Sequence, residues 1–104
     1  MILYNVTVSL DPQIEQDWID WMRTKHIPDV MNTGCFLEGR LSRVHGEEEG
    51  GVTYAISYVA ESHDKYDEYK AVYSAELQKE HGDKFAGSFA AFRTILSILE
   101  EFKA

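Results

Sequence analysis

The chain has 104 residues, 44% hydrophobic and 27% charged, with a formal net charge of -8 and a pI near 4.8. That size suits one domain, residues 1–104, with a two-layer core. The acidic balance repels phosphate backbones and anionic surfaces, so neither nucleic acid nor membrane is an expected partner.

Residues 2 to 9 alternate, with Ile2, Tyr4, Val6 and Val8 on one face and Leu3, Asn5, Thr7 and Ser9 on the other. A period of two with several β-branched residues predicts a strand. This apolar run is far shorter than the roughly 20 residues a membrane span needs. No basic, cleavable leader precedes it, and the single cysteine, Cys35, cannot form an intrachain disulfide. Both features predict a cytoplasmic protein.

Asp11 is an N-cap and Pro12 suits the first helical position, so a helix opens there. Ile14, Trp18, Trp21 and Met22 follow as an apolar stripe. At about 100° per residue that stripe is not continued by Ile27, Val30 and Met31, which fall nearly opposite. Pro28 removes a donor and disfavours helical geometry before it. The reading is a break around Lys25–Ile27, then a helical piece from Pro28 to Asn32 ended by Gly34, with His26 at the joint.

"FLEGRLSRVHG" (36–46) and "VTYAISYVAE" (52–61) read as strands on either side of "EEEGG", where 47–49 is a solvated turn. Ser62 caps a second helix with Tyr66, Tyr69, Tyr73 and Leu77 on one stripe. His81-Gly82 marks a break, "KFAGSF" is a short helix or a loop, and "AAFRTILSIL" (90–99) is the last strand. The order strand, helix, strand, strand, helix, strand predicts an α+β fold. It is a ferredoxin-like βαββαβ sandwich, a four-stranded antiparallel sheet with the helices on one face. The last strand carries bulk on both faces, Phe92, Leu96 and Ile98 on one and Ile95 and Leu99 on the other. A second copy packing sheet to sheet, a homodimer, is therefore expected.

Four stretches carry a family likeness: "YNVTV", "WxxWMxxxHIPDV", "GGVTYAISY" and "AFRTIL". With them the chain resembles the dimeric α+β barrel superfamily over nearly its whole length. It is most similar to a group of small bacterial proteins defined only as a domain of unknown function. The His26-Ile27-Pro28 element is similar to the H-x-P of the EthD-like branch. Other relatives include antibiotic-biosynthesis monooxygenases, haem-degrading monooxygenases and muconolactone isomerases, so the resemblance implies fold and dimerisation and leaves the chemistry open. Haem-degrading members use an Asn, a Trp and a His around the porphyrin. Asn5 matches the Asn, but both tryptophans lie on the first helix with His26 just beyond, a departure from that pattern.

His26 suits general acid/base work or anion binding at neutral pH; alternatively its imidazole ties off carbonyls freed by the helix break. Arg93 interrupts an apolar strand, so it either clamps a substrate anion or pairs with an acid such as Glu38 or Glu61. Arg40 and Arg43 lie on opposite faces of one strand, so at most one shares a pocket with His26. The four histidines show no ligand spacing, no metal site is legible, and no phosphate loop or nucleophile elbow appears. Cys35 reads as a packed thiol.

The combined expectation is a cofactor-independent pocket for a small, mostly apolar organic molecule, of monooxygenase or isomerase type if it is an enzyme. His26 and Arg93 are the catalytic candidates, with Arg43 as an alternative clamp and Tyr4, Asn5, Trp21 and Tyr54 as ligand contacts. A non-catalytic dimer, either a ligand sensor or a structural module, is the alternative, and a haem binder the third reading.

Overall fold

The computed structural model describes residues 1–46 and 50–104; the acidic stretch 47–49, read above as a turn, lies outside the described residues. Strands β1 (Ile2–Leu10), β2 (Glu38–Arg43), β3 (Val52–Ala60) and β4 (Phe89–Ser97) form one antiparallel sheet in the order β2-β3-β1-β4. Register follows the alternation in the sequence. Ile2, Tyr4, Val6, Val8 and Leu10 face the helices, opposite Ala60, Tyr58, Ile56, Tyr54 and Val52 of β3. On β4 the same face carries Phe89, Ala91, Arg93 and Ile95. The other face presents Asn5, Phe92, Thr94 and Leu96, with Phe92 at 63% and Leu96 at 45% exposure.

The first connection starts as expected: the Asp11 carboxylate accepts from the Gln13 N–H at 2.9 Å and caps a short 3-10 turn, Pro12–Ile14. Helix α1 (Glu15–Trp21) then runs into a π turn, Met22–His26, and on into α2 (Ile27–Met31). The expected break is thus corrected, because the helix widens rather than stops. The Ile27 N–H bonds to the Met22 carbonyl five residues back. Pro28 would crowd the carbonyl four residues before it in an α-helix, and a wider turn relieves that contact. One added residue also swings everything beyond it by about 100°. That is how Val30 reaches the core at 0% exposure despite being out of phase with Trp18. Gly34, at φ 77°, ends the segment in the left-handed region, as read from the sequence.

The second connection departs in a different way. Ser62 caps α3 (His63–Val72) through the Lys65 N–H, as expected. The interruption, however, falls at Tyr73, and α4 (Ser74–Lys84) runs straight through His81 and Gly82. A helical glycine costs only about 1 kcal/mol relative to alanine. His81 is buried against Trp18 and Phe89, and that packing outweighs the local penalty. The "KFAGSF" stretch resolves into a turn after α4, with Gly87 at φ 79°. No helix among the described residues is long and apolar enough to cross a membrane.

The core lies between the sheet and the helices. Trp18, Leu10, Ile56 and Val30 are its largest fully buried side chains. Tyr4, Phe36, Tyr58 and Tyr69 form an aromatic cluster with ring centroids 4.8 to 6.1 Å apart. Such rings each bury a large area and resist collapse around any space left between them.

Candidate functional site

The helix layer does not close completely over β1 and β4. A cavity of about 270 Å³ remains there, floored by Tyr4, Val6 and Val8 of β1 and Ala91 and Arg93 of β4, and roofed by Met22, His26, Tyr69 and His81. A shallower groove between α3, α4 and the sheet shares Tyr4, Tyr69, Gln78 and Arg93 with it, so Arg93 stands where the two meet. The cavity lies just below the usual range of about 300–1,000 Å³ for small-molecule pockets. One aromatic ring with short substituents suits it.

Arg93 reaches the helix face because strand alternation puts it beside Val6 and two residues from Ile95. Its Nε donates to the Tyr4 hydroxyl at 3.1 Å. Among the described residues no carboxylate lies within ion-pair distance of it. The pairing with Glu38 or Glu61 is therefore absent. Two guanidinium nitrogens remain to meet an anion, the bidentate task for which arginine is suited.

His26 lies on the last residue of the π turn, its ring stacked on Trp21 at 5.2 Å and edge-on to His81 at 5.8 Å. Its Nδ1 is buried and has no hydrogen-bond partner. The alternative structural role, tying off carbonyls at a helix break, does not hold, since the π turn leaves no break and this nitrogen bonds none of them. An orphaned buried nitrogen costs about 1–3 kcal/mol. Burial, opposed by Glu80 and Asp29, lowers the His26 pKa below its ordinary value, and Arg93 and Lys25 lower it further. The ring is neutral near pH 7, the form that accepts a proton.

His81 is the residue the sequence reading missed. Its Nε2 accepts from the Trp18 indole N–H at 2.8 Å in the fully buried core. Burial first, then the neighbouring His26 and Arg93, lower its pKa to about 4. The signal was available: His81 continues the stripe of Tyr69, Tyr73 and Leu77 at a spacing of four. The adjoining glycine masked it. Tyr69, also buried on that stripe, has its hydroxyl pKa pushed above the ordinary range, chiefly by burial.

The remaining candidates are dispersed. Trp21 supports the His26 ring from behind rather than lining the cavity. Asn5 is corrected to the opposite sheet face, where it donates to Thr7 and accepts from Ser57 at 3.0 and 2.9 Å; alternation alone excludes it from the pocket. Tyr54 and Arg43 are also removed. The Tyr54 hydroxyl donates to Glu15 at 2.6 Å, Arg43 pairs with the same carboxylate at 3.5 Å, and Trp18 stands between Tyr54 and His81. Burial and the Glu15 carboxylate raise the Tyr54 pKa, so this hydroxyl acts as a core strut. Cys35 is buried, with its Sγ directed at Glu68 at 3.3 Å. No cluster of metal-ligating side chains occurs among the described residues.

Residues 1–99 match the model of DUF4286, a domain of unknown function, and the chain belongs to that family. No curated protein matches the sequence. Among solved structures, a dimeric ferredoxin-like protein from an uncultured marine organism superposes with a TM-score of 0.71 at 14% identity, over 100% of both chains. An EthD family protein from Bacillus halodurans gives 0.63 at 15% identity, over 98% of this chain and 100% of the other. SnoaB, a cofactor-independent oxygenase from Streptomyces nogalater, gives 0.67 at 9% identity, over 99% and 98%. At such identities the likeness establishes the fold, which is the ferredoxin-like one expected from the element order.

Proposed function

We propose that this DUF4286 protein is a cytoplasmic homodimer that binds a small, mostly apolar organic anion between sheet and helices and acts on it without a cofactor. The observation that carries this reading is the convergence of Arg93, without a carboxylate partner among the described residues, and His26 on one aromatic-walled cavity. A net charge of -8 makes a cation at a cavity mouth a selective feature rather than part of a basic field. His26 serves as the proton acceptor, Arg93 and the Tyr4 hydroxyl hold the anionic oxygen, and Val6, Val8 and Met22 take the apolar body. The cofactor-independent oxygenase among the structural neighbours supports the class of chemistry but not a particular substrate. Dimerisation covers the outer sheet face, where Phe92 and Leu96 are exposed.

Benzoate is the simplest probe of the class. Titration followed by calorimetry and by NMR shifts of the cavity methyl groups is expected to show binding at millimolar or lower concentration. Arg93→Gln should weaken it about ten-fold or more, the loss of one charge-assisted contact of roughly 1.5–3 kcal/mol. Absence of binding, or equal binding by the variant, overturns the proposal.

A further inference from the structure

The Trp18–His81 hydrogen bond has a chemical consequence for the cavity. An indole N–H can only donate, so the ring nitrogen that receives it, Nε2 of His81, carries no proton. A neutral imidazole then has its proton on Nδ1. Protonating Nε2 would set two N–H groups against each other in a core where Trp18 has 0% exposure. Trp21, His26, Phe85 and Phe89 surround the ring, and Nδ1 bonds to none of them. The ring also lines the cavity. His81 is thus a donor of fixed tautomer whose basic nitrogen is occupied. It complements His26, which also lines the cavity and, as a neutral ring, offers an unprotonated nitrogen as the proton acceptor of the pair.

Resting on the pocket reading above, we propose that His81 is the neutral electrophile of the site, and that the substrate is a single-ring aryl carboxylate carrying a ketone at its far end, which the protein enolises. Geometry sets the two ends. His81 packs on Phe89 at 4.5 Å, whereas Arg93 lies four residues further along β4, about 13 Å by strand rise less the reach of the two side chains. A para-substituted benzene spans that gap, with its carboxylate on Arg93 and its carbonyl oxygen on the His81 N–H. His26, edge-on to His81 at 5.8 Å, is then beside the carbon next to that carbonyl. The step balances within the site. The α C–H bond breaks and its proton passes to the unprotonated ring nitrogen of neutral His26. The bonding pair forms the C=C bond, and the carbonyl π electrons move onto oxygen, held by the His81 N–H. Return of the proton regenerates the ketone. A neutral imidazole is a better matched donor to an enolate than an imidazolium that had to be kept charged in a buried site. Its depressed pKa keeps His81 in that form across the physiological range.

The probe is 4-acetylbenzoate, with benzoate as the ligand lacking the acceptor. In deuterated buffer, the wild-type protein is expected to speed deuterium entry into the acetyl methyl group well above the buffer rate, read by proton NMR. His81→Leu should lower that acceleration by roughly 100-fold, the cost of losing one preorganised donor to a developing oxyanion. His81→Gln keeps an acceptor for Trp18 and a donor for the ligand, and is expected to restore most of the exchange. It also separates loss of function from loss of fold. Nitrogen-15 spectra of the wild-type imidazole should show the Nδ1–H tautomer, and Trp18→Phe should release it. Binding of both ligands without accelerated exchange, or exchange that survives in His81→Leu, refutes the role of His81 and leaves the pocket intact. Failure of benzoate to bind overturns the pocket reading and this inference with it, whereas failure of 4-acetylbenzoate alone refutes this inference only.

Discussion

Acid should unfold this protein partly through His81, and the size of that effect follows from the structure. An unfolded histidine titrates near 6.5, whereas folded His81 titrates at about 4 because burial disfavours the charged ring. Between those values the unfolded chain binds a proton that the folded one refuses, so stability falls as the pH drops through 6.5 towards 4. Above pH 6.5 neither state is protonated and the group contributes no pH dependence. Integrated down to pH 4, the loss is about 3 kcal/mol, a large share of the 5–15 kcal/mol typical of a domain. Carboxylates titrate in the same region, and comparison with His81→Gln cancels them. Glutamine preserves the Trp18 bond but has nothing to protonate. Urea unfolding of both proteins at steps from pH 7.5 to 4 should show wild type losing about 3 kcal/mol relative to the variant. Parallel curves for the two would refute the neutral, Trp18-bound state of the ring.

Two more outcomes test other parts of the structure. Replacing His26 with Phe keeps the ring against Trp21 and removes the orphaned nitrogen, so stability at pH 7 should rise by about 1 kcal/mol, with a melting-temperature gain of some 4–8 °C; a loss of similar size would mean that the imidazole bonds backbone after all. On the outer sheet face, Phe92→Asp with Leu96→Asp should convert the proposed dimer to monomers in light scattering at micromolar concentration while the circular dichroism spectrum persists; a monomeric wild type would remove the premise.

The parts of this molecule that follow period-two alternation were legible in the sequence. The strands, their order and the helix-facing side of β1 all come from residues such as Ile2, Tyr4 and Val8, whose burial depends only on parity. Arg93 is legible for the same reason: parity puts it on the helix-facing side of β4, where it meets the Tyr4 hydroxyl and the cavity at the exposed edge of the sheet. Parity also excludes Asn5, an even-odd step from Tyr4 and Val6 that turns its amide to the opposite sheet face. Tyr54 was a harder case. Its parity is correct, and only the bulk of Trp18 separates it from the pocket, which no spacing rule encodes.

The helices hide more, because their site residues depend on phase rather than parity. Read as one ideal α-helix, the first connection places Ile27, Val30 and Met31 out of register with Trp18 and Met22, and a break at Pro28 is the simplest repair. The protein instead keeps the helix and adds one residue to a turn, a change that alters no hydrophobic count and leaves no glycine or cap to mark it. That single residue does two things at once. It swings Val30 into the core, and it leaves His26 on the cavity wall, stacked on Trp21, with one nitrogen that helix geometry cannot satisfy. The same coupling of packing to chemistry recurs in α4, where the contact that carries the helix past Gly82 is the Trp18 bond that fixes the proton on His81. In both connections the feature that defeats a pattern reading, a widened turn in one and an uninterrupted helix in the other, is also what sets the surroundings of an imidazole. Strain and polarity of that kind persist in a packed core only where the surrounding contacts over-determine them, as Trp18, Trp21, Phe85 and Phe89 do here.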